Sequence, residues 1–253
     1  EDLARCLQKA GDIERLEALL DASTESARRE RALKRLVDEH QMSLAVGARV
    51  EAREALRKAL ALDPSDRALA EMLRRLEARF PTSNRVVLRV DAREMTFVAG
   101  TSVALGRDAD VVVRGTSVSR RHTELSWSAE AVEVRDLGSR NGTLVRGLPI
   151  AGSLRLEGST EIGLGDDVTV RVEAEPWGLK LEVLAGLDRD HVACVGALPL
   201  PVPGLRAKVS FVDGHPTLTA QLGCTLDGQR VVAPIALLRG DVLEIDGHRV
   251  EVA

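Results

Sequence analysis

Residues 115–127 read GTSVSRRHTELSW, and from His122 to Trp127 the stretch alternates polar and apolar side chains as a half-buried strand does. Directly ahead of that strand stand Ser119, Arg120, Arg121 and His122: a hydroxyl, two guanidiniums and an imidazole in a row. A core strand gains nothing from this cluster, and a solvated loop does not need it. It reads as one wall of an anion pocket. Two other stretches supply the remaining walls: ALGRDADVVV (104–113), with Gly106-Arg107 at a strand end, and DLGSRNGTLVRG (136–147), with an Asn141-Gly142 turn between strands. An arginine fork, a hydroxyl and turn N–H groups are donors suited to an oxyanion, the charge-assisted ones being stronger than neutral ones. Gly142 allows the positive φ of a tight Asn-Gly turn.

Around this centre the pattern is all strand. Period-two runs with turn signals every 8–12 residues predict strands at 85–91, 93–99, 102–107, 110–113, 122–127, 131–136, 143–146, 154–156, 159–164 and 168–174, a β-sandwich. The segment before RFPTSNR (79–85) is different. Residues 1–80 are rich in Leu, Ala, Arg and Glu, with helical spacing in Leu16, Leu19, Leu20 and in Leu56, Ala59, Leu60. Leu7, Gly11, Leu16, Leu20 and Ser23 recur 36 residues on as Ser43, Gly47, Ala52, Leu56 and Ala59, the mark of stacked helical hairpins. EAEPWG (173–178) is a second break, after which strands resume to Val252. The expected architecture is therefore multidomain α and β: a helical segment over 1–80, a sandwich over 84–174 and a second sandwich over 178–253.

Composition excludes several classes. Among 253 residues the net charge is −4, aromatics are 2% and Tyr is absent, so neither a phosphate-backbone surface nor a base-stacking platform is present. Arg114, Arg120, Arg121, Arg135, Arg140 and Arg146 alone do not make a nucleic-acid interface. Cys6, Cys194 and Cys224, odd in number and far apart, imply reduced thiols and a cytoplasmic setting. No apolar run of about 18 residues is present, so no membrane partner is expected in this stretch. An opening at Glu1 rather than Met suggests a piece of a longer protein, with the helical array continuing upstream.

The three pocket motifs, Gly-Arg, Ser-Arg-x-His and Asn-Gly-Thr in that order, resemble those of forkhead-associated (FHA) domains over about 84–174. The resemblance implies an eleven-stranded sandwich that binds phosphothreonine peptides through the loops at one end. Position by position it implies that Arg107, Ser119, Arg120 and Arg140 contact phosphopeptide and that Asn141 holds the peptide main chain. Gly106, His122 and Gly142 would support the loops. ALRKALALDPSDRAL (55–69) resembles the second helix and exit turn of a tetratricopeptide repeat, with Gly47 at the interhelix turn and Pro64 opening the next unit. Ser43 departs from that pattern, where a large aromatic is usual.

The last segment reads as a second FHA-like copy. GTLVRGLPI (142–150) aligns with GCTLDGQRV (223–231), HTELSW (122–127) with RAKVSF (206–211) and ALGR (104–107) with CVGA (194–197). In that alignment Arg107 becomes Ala197, Ser119 falls at Pro203 and Asn141 becomes Leu222, so the copy keeps the fold and loses the donors. Two rival chemistries lack support in the residues. Ser119 with His122 lacks an orienting acid for nucleophilic catalysis. His191, Cys194, His215 and Cys224 have a count compatible with zinc but no compact ligand spacing. The reading is a non-enzymatic adaptor with no cofactor or metal, taking a phosphothreonine-containing partner in Ser/Thr kinase signalling and further proteins through its flanking segments. The alternative is a phosphate-independent scaffold of a larger assembly such as a secretion apparatus. Trp127 and Trp177 are expected to fill cores.

Overall fold

The computed structural model describes residues 13–81, 84–128, 131–197, 199–231 and 234–253. The chain forms two compact units, residues 1–78 and 79–253. Among the described residues no helix is long and apolar enough to cross a membrane.

Helices α1 (Ile13–Ala45), α2 (Arg49–Leu62) and α3 (Arg67–Arg79) follow one another through short turns. Gly47 takes φ 81° between α1 and α2. Ala52, Leu56 and Ala59 of α2 are fully buried, and the His40 ring donates from Nδ1 to the Ala52 carbonyl at 2.9 Å. Asp66 caps α3, its Oδ1 accepting the N–H groups of Ala68 and Leu69 at 2.8 and 3.1 Å. The hairpin repeat requires α1 to break near residue 28, which lies 36 residues before Pro64, yet α1 runs through it. TESARR (24–29) holds neither Pro nor Gly, so nothing ends the helix there. Leu7 and Gly11 of the proposed repeat lie outside the described residues.

The second unit is all strand: β1 (Arg85–Val90), β2 (Arg93–Ala99), β3 (Ser102–Gly106), β4 (Val111–Val112), β5 (Thr123–Trp127), β6 (Val132–Asp136), β7 (Thr143–Val145), β8 (Leu148–Pro149), β9 (Ser153–Leu156), β10 (Thr160–Leu164) and β11 (Thr169–Glu175). Then come β12 (Gly178–Ala185), β13 (Val192–Gly196), β14 (Leu200–Pro201), β15 (Ala207–Val212), β16 (His215–Ala220), β17 (Cys224–Leu226), β18 (Gln229–Val231), β19 (Ile235–Ala236), β20 (Val242–Ile245) and β21 (His248–Val252). They make a five-stranded sheet, β4-β3-β5-β6-β9, a four-stranded sheet, β14-β15-β16-β19, and a twelve-stranded sheet, β18-β17-β20-β21-β1-β2-β13-β12-β11-β10-β7-β8.

Two apolar cores lie between these layers, and they do not follow the chain order. Leu105, Leu125 and Val134 of the five-stranded sheet pack with Ile162, Val170, Leu179, Leu181, Val183, Ala193 and Val195. Val209, Leu218 and Ile235 of the four-stranded sheet pack with Leu243, Val250, Val86, Leu88, Met95 and Phe97. Hairpin β12–β13 thus completes the core of the middle segment, and hairpin β1–β2 completes the core of the last one. The sheets join where β2 runs parallel to β13, Met95 opposite Val192 and Val98 opposite Val195.

Turn length accounts for this exchange. Only Pro176 and Trp177 separate β11 from β12, so the two strands must pair as a hairpin, Glu175 opposite Gly178. β12 thereby occupies the edge of β11. EAEPWG, read as a break between domains, is a tight turn inside one sheet. Trp177 packs on the second core and Trp127 on the first.

Candidate phosphopeptide site

The site begins with Gly106, the last residue of β3. A Cβ there would stand 2.2 Å from the Arg120 carbonyl oxygen and 2.8 Å from that of Ser119. Glycine lets β3 run directly under the 113–122 loop, and Arg107 N–H then donates to Ser119 O at 3.0 Å and Asp108 N–H to Arg120 O at 2.9 Å. The Arg107 Nε–H donates to Val118 O at 2.6 Å. That bond fixes the guanidinium plane and leaves its two terminal nitrogens for a ligand.

Ser119 is held from two sides. Its Oγ accepts the Arg140 N–H at 3.0 Å, which leaves the hydroxyl hydrogen to be donated outward. Its backbone N–H donates to Nδ1 of His122 at 3.1 Å. Because Nδ1 accepts, Nε2 carries the ring proton and donates to Gly142 O at 3.0 Å. His122 is fully buried and ties the Ser119 loop to the Asn141-Gly142 loop. It faces the serine amide and not the hydroxyl, so the two form no nucleophile–base pair.

Asn141 donates from Nδ2 to Ser117 O at 2.8 Å, and among the described residues its carbonyl oxygen and second amide hydrogen take no further bond. The Asn141-Gly142 turn is not a hairpin. It crosses from β6 in the five-stranded sheet to β7 in the twelve-stranded one, which is how residues from two sheets reach one rim. Asp136 shapes this loop, its carboxylate accepting Gly138 N–H, Ser139 N–H, Ser139 Oγ–H and Thr143 Oγ1–H at 2.6 to 3.0 Å. Burial works to raise its pKa, but those bonds outweigh it and hold the carboxyl below its ordinary value.

Asp167, between β10 and β11, does the same for the opposite rim. It accepts Thr116 N–H at 2.7 Å, Thr116 Oγ1–H at 2.9 Å and the Ser117 hydroxyl. The Ser117 hydroxyl above all, against a smaller burial effect, brings its pKa to about 2.

Arg107, Asp108, Ser119, Arg120 and Arg121 line a depression of about 550 Å³, and Arg140 and Asn141 stand on the adjoining loop. Among the described residues no ion pair involves Arg107, Arg120, Arg121 or Arg140. The residues expected from the three loop motifs, Arg121 among them, thus lie on this depression or on the loops beside it. Asp136, Asp167 and Ser117 were missed. DLGS carried a local signal for Asp136, an acid two and three residues before the amides it accepts, whereas Asp167 acts across about fifty residues of chain and had none.

The other singled-out groups lie elsewhere. His191 Nε2 bonds the Thr96 hydroxyl at 3.0 Å, and Cys194 is buried in the second core, which pushes its thiol up to about 12. Among the described residues no group of three or more His, Cys, Asp and Glu side chains could hold a metal. The alignment of ALGR with CVGA is not the structural one. β13 lies beside β2, not at the place of β3. β14 pairs with β15, Leu200 opposite Val209, as β3 pairs with β5, Val103 opposite Leu125.

Residues 83–165 match the family model of the FHA domain. The FHA domain of the CT664 protein from Chlamydia trachomatis is 31% identical, the match covering 32% of this chain and 89% of that one at a TM-score of 0.27. An FHA domain solved in a study of phosphothreonine-dependent FHA interactions is 35% identical, over 32% and 88%, at 0.26. The FhaA FHA domain, solved in complex with the intracellular domain of Rv3910, is 35% identical, over 32% and 91%, at 0.26. No curated protein matches the chain. With the family match laid over the three loops that meet at Arg107, Ser119 and Asn141, the chain carries an FHA domain in residues 83–165.

Proposed function

We propose that this protein is a phosphothreonine-binding adaptor. Arg107 and Ser119 would take the phosphate, with Arg120 and Arg140 beside them, and Asn141 the peptide backbone. The observation that carries this reading is the state of the donors. Arg107 is pinned through Nε with its terminal nitrogens open, and Ser119 accepts from Arg140 with its own hydrogen open. Phosphothreonine carries about −1.5 to −2 charges and three acceptor oxygens at neutral pH, which matches an arginine fork and a hydroxyl. His122, Gly106 and Gly142 act on the loops and not on the ligand. The client is a protein marked by a Ser/Thr kinase, in a cytoplasmic setting.

The last segment is an FHA-like copy without the site. Only residues 202–206 separate β14 from β15, whereas sixteen residues carrying Arg107 and Ser119 separate β3 from β5. That shortening favours a scaffold role for the C-terminal core, with partners docking there and on the helical segment, whether or not the latter is a tetratricopeptide array. The test is titration of the full chain with matched peptides bearing phosphothreonine or threonine. Micromolar binding of the first alone, abolished by Arg107→Ala with an unchanged melting temperature, is expected. Equal binding of both peptides, or full binding by Arg107→Ala, defeats the reading.

A further inference from the structure

Three side chains, Asn141, Asp167 and Asp188, tether the first half of the loop that carries Ser117 and Ser119. Asn141 holds the Ser117 carbonyl and Asp167 holds the Thr116 and Ser117 amides. The third comes from the exchanged hairpin. Asp188, in the turn between β12 and β13, accepts the backbone N–H of Arg114, and its Oδ1 accepts the Arg114 Nε–H at 2.7 Å and the Nη2–H. The Asp188 side chain is 7% exposed, against 68% for Arg114. Close packing surrounds this contact: a Cβ on Gly115 would meet the Val168 side chain at 2.9 Å, and one on Gly186 would meet it at the same distance. Residues 186–188, the 113–122 loop and the start of β11 thus form one tight corner. Burial works to raise the Asp188 carboxyl, but the Arg114 hydrogen bonds leave it below its ordinary value.

The geometry points to Asp188 as a positioning residue of the phosphothreonine site: by fixing Arg114 it sets the origin of the loop that presents Ser119. This rests on the functional reading above and extends it. Asp188 lies outside residues 83–165, the span that matches the family, so the binding unit includes a hairpin that the chain order assigns to the following segment. The backbone bond is the essential one, because the guanidinium is largely in solvent and an exposed ion pair contributes little.

The experiment uses the full chain and three variants, Asp188→Ala, Asp188→Asn and Arg114→Ala, with two readouts. The first is amide hydrogen exchange of residues 114–119 without ligand. The second is affinity for a peptide pool with phosphothreonine at a fixed central position and random flanks. Asp188→Ala removes the charged acceptor of the Arg114 amide and is expected to speed exchange and weaken binding by about tenfold. Asp188→Asn keeps an accepting oxygen and Arg114→Ala keeps the backbone donor, so both stay within about threefold of the parent. A fold defect alone would lower the melting temperature and leave the affinity of the folded fraction unchanged, which overturns the proposal. So does unchanged exchange in Asp188→Ala. If the parent chain binds no phosphothreonine peptide, the functional reading fails, while the exchange readout still decides whether Asp188 holds the loop.

Discussion

Replacing His122 by Phe keeps the volume of a fully buried ring and removes both of its hydrogen bonds. The Ser119 N–H loses its acceptor in a partly buried place, which costs about 1–2 kcal/mol. The Gly142 carbonyl fares better, since it also accepts the Gly165 N–H at 3.1 Å, and losing one of two donors there costs about 0.5–1.5 kcal/mol. Together these give about 1.5–3.5 kcal/mol. For a unit of this size each kcal/mol moves the midpoint by about 2–4 °C, so calorimetry should show a drop of about 3–14 °C. The same change removes the buried tie between the Ser119 and Asn141 loops and leaves only the Arg140 and Asn141 bonds, so phosphothreonine-peptide affinity should fall more than the stability loss explains. His122→Ala adds a cavity and should fall further. A His122→Phe protein melting within about 2 °C of the parent would refute the claim that the imidazole ties the loops together.

Gly106→Ala places a methyl group 2.2 Å from the Arg120 carbonyl oxygen, and displacing that backbone should cost about 1–3 kcal/mol and most of the peptide affinity. A chemical denaturation midpoint equal to the parent's would contradict it. Asp167 should titrate near 2 in the folded protein rather than at its ordinary 3.8. A depressed folded pKa means that its stabilisation is present above the ordinary range and lost as pH falls through about 2. Faster exchange of the Thr116 and Ser117 amides should follow that titration, and a carboxyl titrating at its ordinary value would argue against the tether. Cys194, with its thiol pushed up to about 12 by burial, should resist iodoacetamide until the protein is unfolded; rapid alkylation under native conditions would show that the second core is open.

What could be read in advance follows the range of the interactions. The strands of 85–174 and their ends came from period-two alternation and turn residues, which are local, and each end lies within one residue of its expected place. β8 was missed because two residues ending in Pro149 show no period. The site residues were visible because three loop motifs each carry their own chemistry. The exchange of hairpins was not visible. Val86, Leu88 and Val90 of β1 and Leu179, Leu181 and Val183 of β12 offer the same alternation, so the pattern cannot say which core each hairpin enters. Only the two-residue link at Pro176-Trp177 decides it, and its composition looked like a domain boundary. The continuous helix α1 was not visible for a related reason. Sparse matches at 36 residues set the period, while the missing helix breaker at residues 24–29 governs the backbone.

The most direct test of the account is the position of the phosphate in a complex of the full chain with a phosphothreonine peptide, determined by crystallography. The phosphate is expected within hydrogen-bonding distance of the Arg107 terminal nitrogens and Ser119 Oγ, with the peptide backbone against Asn141. A phosphate bound elsewhere, with the Arg107 and Ser119 donors still facing water, would contradict it.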